Sequence, residues 1–149
     1  MNLWQMCTHE VVTVDPGMSI IDAARLMRDK HVGSVVVMSD TIPPSPVGIL
    51  TDRDIVIRVV AFAGEQTLLN VEQAMSPALV TTSESNGAYE ALQLMRANGV
   101  RRLLVTGEDG GLRGIASFDD IVMLFAEGAT AMAQTMAAGL LREEKKAGF

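Results

Sequence analysis

The sequence predicts an α/β chain of the α+β type. Two β-α-β-β-α repeats pack with pseudo-two-fold symmetry, and a C-terminal helix follows. Three observations lead there. The octet GILTDRDI at 48–55 returns as GIASFDDI at 114–121. Leu26-Met27-Arg28 maps onto Leu94-Met95-Arg96 at an offset of 68 (94 − 26); Val12-Thr13 meets Val80-Thr81 and Val35-Val36-Val37 meets Leu103-Leu104-Val105 at that same offset. The helical stripe Ile20, Ala23, Ala24, Met27 recurs as Ala88, Ala91, Leu92, Met95. Self-similarity of this kind marks a repeat architecture.

The elements follow in order. Val11 to Val14 and Leu79 to Thr82 are short β-rich stretches that open the repeats. The stripe helices come next, with Asp22, Arg25, Asp29, Gln93 and Arg96 off the stripe. Gly33 and Gly99 stand near their ends, where glycine commonly terminates a helix. The aliphatic runs from Val35 and from Leu103 are rich enough to be buried strands. Thr51 falls on Ser117 at an offset of 66 (117 − 51), so the first copy carries two extra residues, in a loop with Pro43, Pro44 and Pro46. The second copy turns at Glu108 to Gly111, a hairpin signal. Strands Val47 to Leu50 and Leu112 to Ala116 lead into helices from about Asp52 to Ala63 and from about Phe118 onward. Asn70 to Met75 reads as a short helix, capped by Asn70, that joins the halves. Neither unit covers its small sheet alone, so the two are expected to share one core. The expected division is residues 1–69, 70–126 and a helical tail, 127–149.

Composition narrows the function. With 149 residues, 48% of them apolar, the chain suits one compact domain or two small halves. A net charge of −6 offers no footprint for a phosphate backbone, so nucleic acid is not an expected partner. Cys7 is the only cysteine, so no internal disulfide forms, and a reducing, cytoplasmic setting is expected. The N-terminus lacks the pattern of a signal peptide, no transmembrane span is expected, and no membrane partner is expected. No nucleophile–histidine–acid set, P-loop lysine motif or strong metal cluster appears, so a non-enzyme is expected, with no metal and no required cofactor.

The octet has two readings. Thr51-x-x-Asp54 and Ser117-x-x-Asp120 each match a capping box ahead of an apolar run. Capping alone does not require a glycine and an aliphatic strand upstream in both copies. The same atoms suit a nucleoside phosphate. A helix N-terminus and a hydroxyl attract phosphate, and an aspartate accepts from vicinal ribose hydroxyls. Ile49 and Ile115 can pack a purine face, and Gly48 and Gly114 let a neighbouring backbone come close.

Those residues, together with GVRRLLV and GILTDRDIVIR, make the chain resemble a tandem pair of CBS domains, a Bateman module, over about residues 5–126. LTDRDIVIRVV resembles small stand-alone bacterial CBS-pair proteins, hypoxia-response types among them. The resemblance implies a non-catalytic regulatory module that binds AMP, ADP, ATP or S-adenosylmethionine in clefts between the repeats and signals to a partner protein. The alternative is a structural or dimerisation module with no physiological nucleotide. Carried over, Ile49, Thr51 and Asp54 face Ala78, Val100, Arg101 and Arg102. Ile115, Ser117 and Asp120 face the stretch from His9 to Val11 together with Val32, Gly33 and Ser34. Arg102 matches a phosphate-binding position of some relatives, while its counterpart Ser34 is uncharged. The Thr51/Asp54 cleft is therefore expected to be the stronger nucleotide site. The other is expected to be empty or to prefer an uncharged or cationic adenosyl group.

Other residues have plainer readings. Arg101-Arg102 also suits a solvated strand end or a pair to Glu108 or Asp109. Cys7, His9 and His31 are too few and too scattered for a convincing metal site. Met27, Met95 and Met123 fill core stripes. In the tail Met132, Met136 and Leu140 recur every four residues, an apolar face that covers its own module or a second copy; a homodimer is expected.

Overall fold

A computed structural model describes residues 1–62 and 69–148. The first repeat contains α1 (Leu3–Met6), β1 (Thr13–Val14), α2 (Ile20–Lys30), β2 (Ser34–Met38), β3 (Pro46–Thr51) and α3 (Asp52–Arg58), with a 3₁₀ turn at Val60–Phe62. The second contains α4 (Val71–Ala74), β4 (Thr81–Ser83), α5 (Ala88–Asn98), β5 (Arg102–Thr106), β6 (Leu112–Ser117) and α6 (Phe118–Ala147). Each repeat forms a three-stranded sheet, its first strand parallel and its third antiparallel to the middle one. Val36 stands opposite Ile49, and Leu104 opposite Ile115.

The shared core expected from the sequence is instead two cores. One gathers Val14, Ile20, Ala23, Met27, Val35, Val37 and Leu50; the other gathers Ala88, Ala91, Met95, Leu103, Val105, Ala116 and Ile121. Alternation along the middle strands explains this, since neighbouring side chains leave opposite faces. Val35 and Val37 enter the first core, while Val36 turns away toward the interface between repeats.

Each core is closed by the opening segment of the other repeat. Val71 and Ala74 of α4 belong to the first core, and Leu3 of α1 belongs to the second. The helix expected to join the halves is therefore an exchanged arm, and α1 is its twin. Asn2/Gln5 and Asn70/Gln73 form the same capping box 68 residues apart (70 − 2). Downstream, Thr8 bridges Ile115 and Ser76 bridges Ile49, each through two backbone hydrogen bonds of 2.9 and 3.0 Å. Gly114 admits the first arm: a Cβ there would lie 2.6 Å from Cys7 Sγ and 2.8 Å from the Thr8 carbonyl. A Cβ at Gly48 would collide with the Met75 sulfur. Arg58 holds the second arm by donating to the Ala74 and Met75 carbonyls at 3.3 and 3.0 Å.

Three helix ends differ from expectation. α2 is terminated by His31 at φ 55°, not by Gly33; Gly99, at φ 64°, does the same for α5. Histidine tolerates the left-handed region better than β-branched residues do, so no glycine was needed. α3 ends at Arg58, short of the expected Ala63, and Ala63 itself lies outside the described residues. α6 runs unbroken through Gly128 and Gly139, so the tail continues the last helix of the repeat. Ile121 is its one buried residue, and every described residue from Phe125 on is exposed. By length and composition α6 is also apolar enough to cross a membrane, contrary to the sequence expectation. Its alanines and methionines raise mean hydropathy around the single Glu127.

Candidate functional site

Two clefts open where the repeats meet. The first, about 310 Å³, brings Ile49, Thr51 and Asp54 against Ala78, Val100, Arg101 and Arg102, all named from the sequence. Ser76, Leu79, Val80, Gly99 and Leu104 complete it. The second, about 180 Å³, brings Ile115, Ser117 and Asp120 against Val11, Val32, Gly33 and Ser34. Small-molecule pockets usually measure about 300–1,000 Å³, so the first is the roomier candidate.

His9 is absent from the second cleft. Its ring stacks on Trp4 with centroids 4.1 Å apart, and its Nε2 lies 2.6 Å from the Trp4 carbonyl. Glu10, inside the expected stretch, lines the cleft, and Thr8, Val12 and Val36 line it too but were missed. The repeat offset contained the signal, since Thr8, Val12 and Val36 are the counterparts of Ser76, Val80 and Leu104, which line the first cleft.

Both octets cap their helices. Thr51 Oγ1 accepts from the Asp54 N–H at 3.1 Å and donates to Asp54 Oδ2 at 2.9 Å, and the Thr51 N–H donates to that same oxygen at 3.0 Å. The Ser117/Asp120 pair repeats this at 3.1, 2.6 and 2.9 Å. One carboxylate oxygen of each aspartate stays outside the box. For Asp54 it is Oδ1, 3.7 Å from Arg58 Nε.

The N-terminus of α3 does not offer the free N–H groups expected for a phosphate. The Asp52 N–H donates to the Gly33 carbonyl at 3.0 Å, the Arg53 N–H to Asp52 Oδ1 at 2.8 Å, and the Asp54 N–H to Thr51. In α6 the Phe118 N–H is spent on the Arg101 carbonyl at 2.8 Å. Positive charge in the clefts therefore comes from side chains. Arg101 pairs with Asp119 at 3.0 Å, not with Glu108 or Asp109, and its guanidinium lies 5.2 Å from the Phe118 ring centroid. Asp109 binds Arg113 instead.

Arg102 lines both clefts. β-Sheet register explains how. It closes the segment that walls the first cleft, yet stands directly opposite Ser117 on β6. Its guanidinium reaches the first repeat, where Nη2 lies 3.6 Å from the point a Gly33 Cβ would occupy. Among the described residues no carboxylate lies within ion-pair distance of it. The second cleft is thus not short of a cation, as Ser34 had suggested. It differs from the first in its acids, Glu10 and Asp120.

Cys7 is buried in the second core, and burial pushes its thiol above the usual range, helped by the negative charges of Asp120 and Glu84. It is expected to resist thiol reagents at neutral pH until the protein unfolds; stoichiometric labelling of folded protein would contradict this burial. By linkage, the raised thiol contributes stability below the ordinary thiol range and loses it as pH climbs through the folded value. Among the described residues no group of three or more metal-ligating side chains occurs.

The CBS-domain family model matches residues 4–61 and 71–127. An uncharacterized protein of Methanopyrus kandleri is 32% identical over 120 residues, 80% of this chain; the match spans 60% of that relative's length. The CBS domain-containing protein YhcV of Bacillus subtilis is 34% identical over 116 residues, 78% of this chain and 79% of YhcV. Among solved structures, CBSX2 in complex with AMP shares the fold at a TM-score of 0.68 with 23% identity, covering 85% of this chain and 96% of that one. Duplicated sheets, exchanged arms and paired octets agree with these matches: the chain belongs to the CBS-domain family as a tandem pair.

Proposed function

We propose that this CBS pair is a cytoplasmic, non-catalytic sensor of an adenosine-containing ligand, AMP, ADP, ATP or S-adenosylmethionine, and that it passes the bound state to a partner protein. As a CBS pair it is a regulatory module. The observation that carries the ligand reading is the first cleft, where Thr51 and Asp54 of one repeat meet Arg102 and Val100 of the other. The Asp54 oxygen outside the capping box accepts from ribose hydroxyls, Ile49 and Val100 hold the purine between aliphatic walls, and Arg102 takes phosphate. The AMP complex of CBSX2 supports the ligand class. The second cleft, smaller and bearing Glu10, suits a less anionic adenosyl compound. A ligand spanning both repeats shifts their packing only by its differential affinity for two arrangements.

One observation favours the alternative, a structural module without nucleotide. Both octets form complete helix-capping boxes from their own residues. Calorimetric titration of nucleotide-stripped protein with AMP, ATP and S-adenosylmethionine separates the two. Asp54→Ala is expected to weaken binding in the first cleft roughly tenfold or more, since hydrogen bonds to a charged acceptor are each worth about 1.5–3 kcal/mol. Asp120→Ala is expected to leave that cleft's affinity in place. Each change also removes half of a capping box, about 1 kcal/mol, so melting is followed alongside. No binding of any of the three ligands by folded wild-type protein would leave the structural reading standing.

A further inference from the structure

We propose that Arg101 couples a polyphosphate in the first cleft to the seat of α6, so that ATP and AMP leave that helix in different positions. This link rests on the nucleotide reading of the first cleft and adds how its output is produced. Arg101 lines that cleft beside Arg102. The two differ in depth: Arg102 is half-buried, whereas the Arg101 side chain is 71% exposed at the rim. A nucleotide seated on Ile49 and Asp54 offers its first phosphate to Arg102, and only a longer phosphate chain arrives at Arg101.

Arg101 is already committed to α6. Its carbonyl accepts from the Phe118 N–H at 2.8 Å, its guanidinium carbon lies 5.2 Å from the Phe118 ring centroid, and its Nη2 donates to Asp119 Oδ1 at 3.0 Å. One cleft residue thus holds the first two residues of the helix. Its grip through Asp119 is the weak one, since that pair lies in solvent, where ion pairs contribute little. A polyphosphate offers more negative charge than one carboxylate and takes the guanidinium from Asp119. The Ser117 capping box and the Phe118 backbone bond do not depend on that guanidinium, so α6 stays helical while its seat loosens.

Comparison of the repeats assigns this contact to output. Arg101 falls on Gly33 (101 − 68), and Asp119 falls on Arg53 (119 − 66). The backbone bond is kept there, from the Asp52 N–H to the Gly33 carbonyl at 3.0 Å. The clamp is not kept, because glycine has no side chain and a cation stands in place of the acid. The last helix of that repeat, α3, has 7 residues; the repeat with the clamp carries the 30 residues of α6. Ile121 anchors α6 in the second core, and every described residue from Phe125 on is exposed, so packing within the described chain does not hold the far part. At about 1.5 Å per residue α6 is roughly 45 Å long, so a tilt of about 10° at its seat carries the far end roughly 8 Å.

Spin labels on Gln93→Cys in α5 and Gln134→Cys in α6 read that movement. Cys7 is buried in the second core, and labelled chains are diluted in unlabelled protein so that only distances within a chain are measured. ATP is expected to shift the distance distribution of the wild type by several ångströms, and AMP to leave it as in the empty protein. Asp119→Asn is expected to take the ATP-like distribution without nucleotide. It is also expected to bind ATP up to about fivefold more tightly, with AMP unchanged, because Arg101 no longer has to leave an ion pair. Arg101→Ala is expected to lose the response to ATP and to lose more ATP affinity than AMP affinity. ATP that binds by calorimetry and leaves the distribution unchanged would overturn this proposal alone. So would an equal response to AMP and ATP, or a response that survives Arg101→Ala. Failure of every nucleotide to bind would remove the sensor reading and this proposal together.

Discussion

Leu3→Ala is expected to lower the stability of the whole module by about 2–5 kcal/mol, the usual cost of emptying a buried leucine site. In a chain of this size that moves the melting midpoint by roughly 5–15 °C. Leu3 belongs to the first repeat by sequence, yet it is fully buried in the core of the second. Val71→Ala is expected to act in the same direction on the first core, by less, because fewer carbons are removed. Gly114→Ala reaches the same joint from outside, forcing the Thr8 carbonyl and Cys7 away from β6. Because each arm closes the opposite core, neither repeat loses its arm without exposing the other's apolar face. Thermal unfolding is therefore expected as one cooperative transition, checked by calorimetry against circular dichroism. A Leu3→Ala shift inside about 0.5 kcal/mol, the range of ordinary surface changes, would mean that α1 is not seated as described.

The exchange shows where sequence reading succeeds here and where it stops. Strand order, helix stripes and both octets follow from local patterns that survive duplication, so most residues that face one another across the clefts are legible in the sequence, though His9 lies outside and Thr8, Val12 and Val36 are not legible there without the repeat offset. α1 and α4 are four residues each, too short for periodicity to reveal. Their shared Asn-x-x-Gln box was visible at the repeat offset, but which core each helix enters is a long-range fact. His31 shows a different limit: the left-handed cap was sought at a glycine, and a histidine fills it. The phosphate reading of the helix N-termini missed competition from carbonyls of the neighbouring strand segments, Gly33 and Arg101, which take the first N–H of each helix.

Arg102→Ala is expected to weaken AMP roughly tenfold in the first cleft while leaving adenosine nearly unaffected, because the guanidinium acts on phosphate and not on the nucleoside. Titration with adenosine, AMP and ATP isolates that contribution, and the loss is expected to grow with phosphate count. The side chain borders both clefts, so its removal is also felt in the second. There Glu10 and Asp120 remain, and without Arg102 the cleft holds acids alone among its charged lining residues. The variant is expected to shift that cleft's preference from AMP toward the sulfonium of S-adenosylmethionine. In the wild type Arg102 is the guanidinium that borders both candidate phosphate positions, while Arg101 lines the first cleft and is paired with Asp119. AMP bound in the first cleft draws Arg102 away from Gly33, so a second AMP is expected to bind more weakly than the first. Asp54→Ala, which weakens the first cleft, frees Arg102 for the second and is expected to raise AMP affinity there. Two independent AMP sites of equal affinity, unchanged by Arg102→Ala, would mean that phosphate is held by other groups and that the clefts do not communicate through this residue.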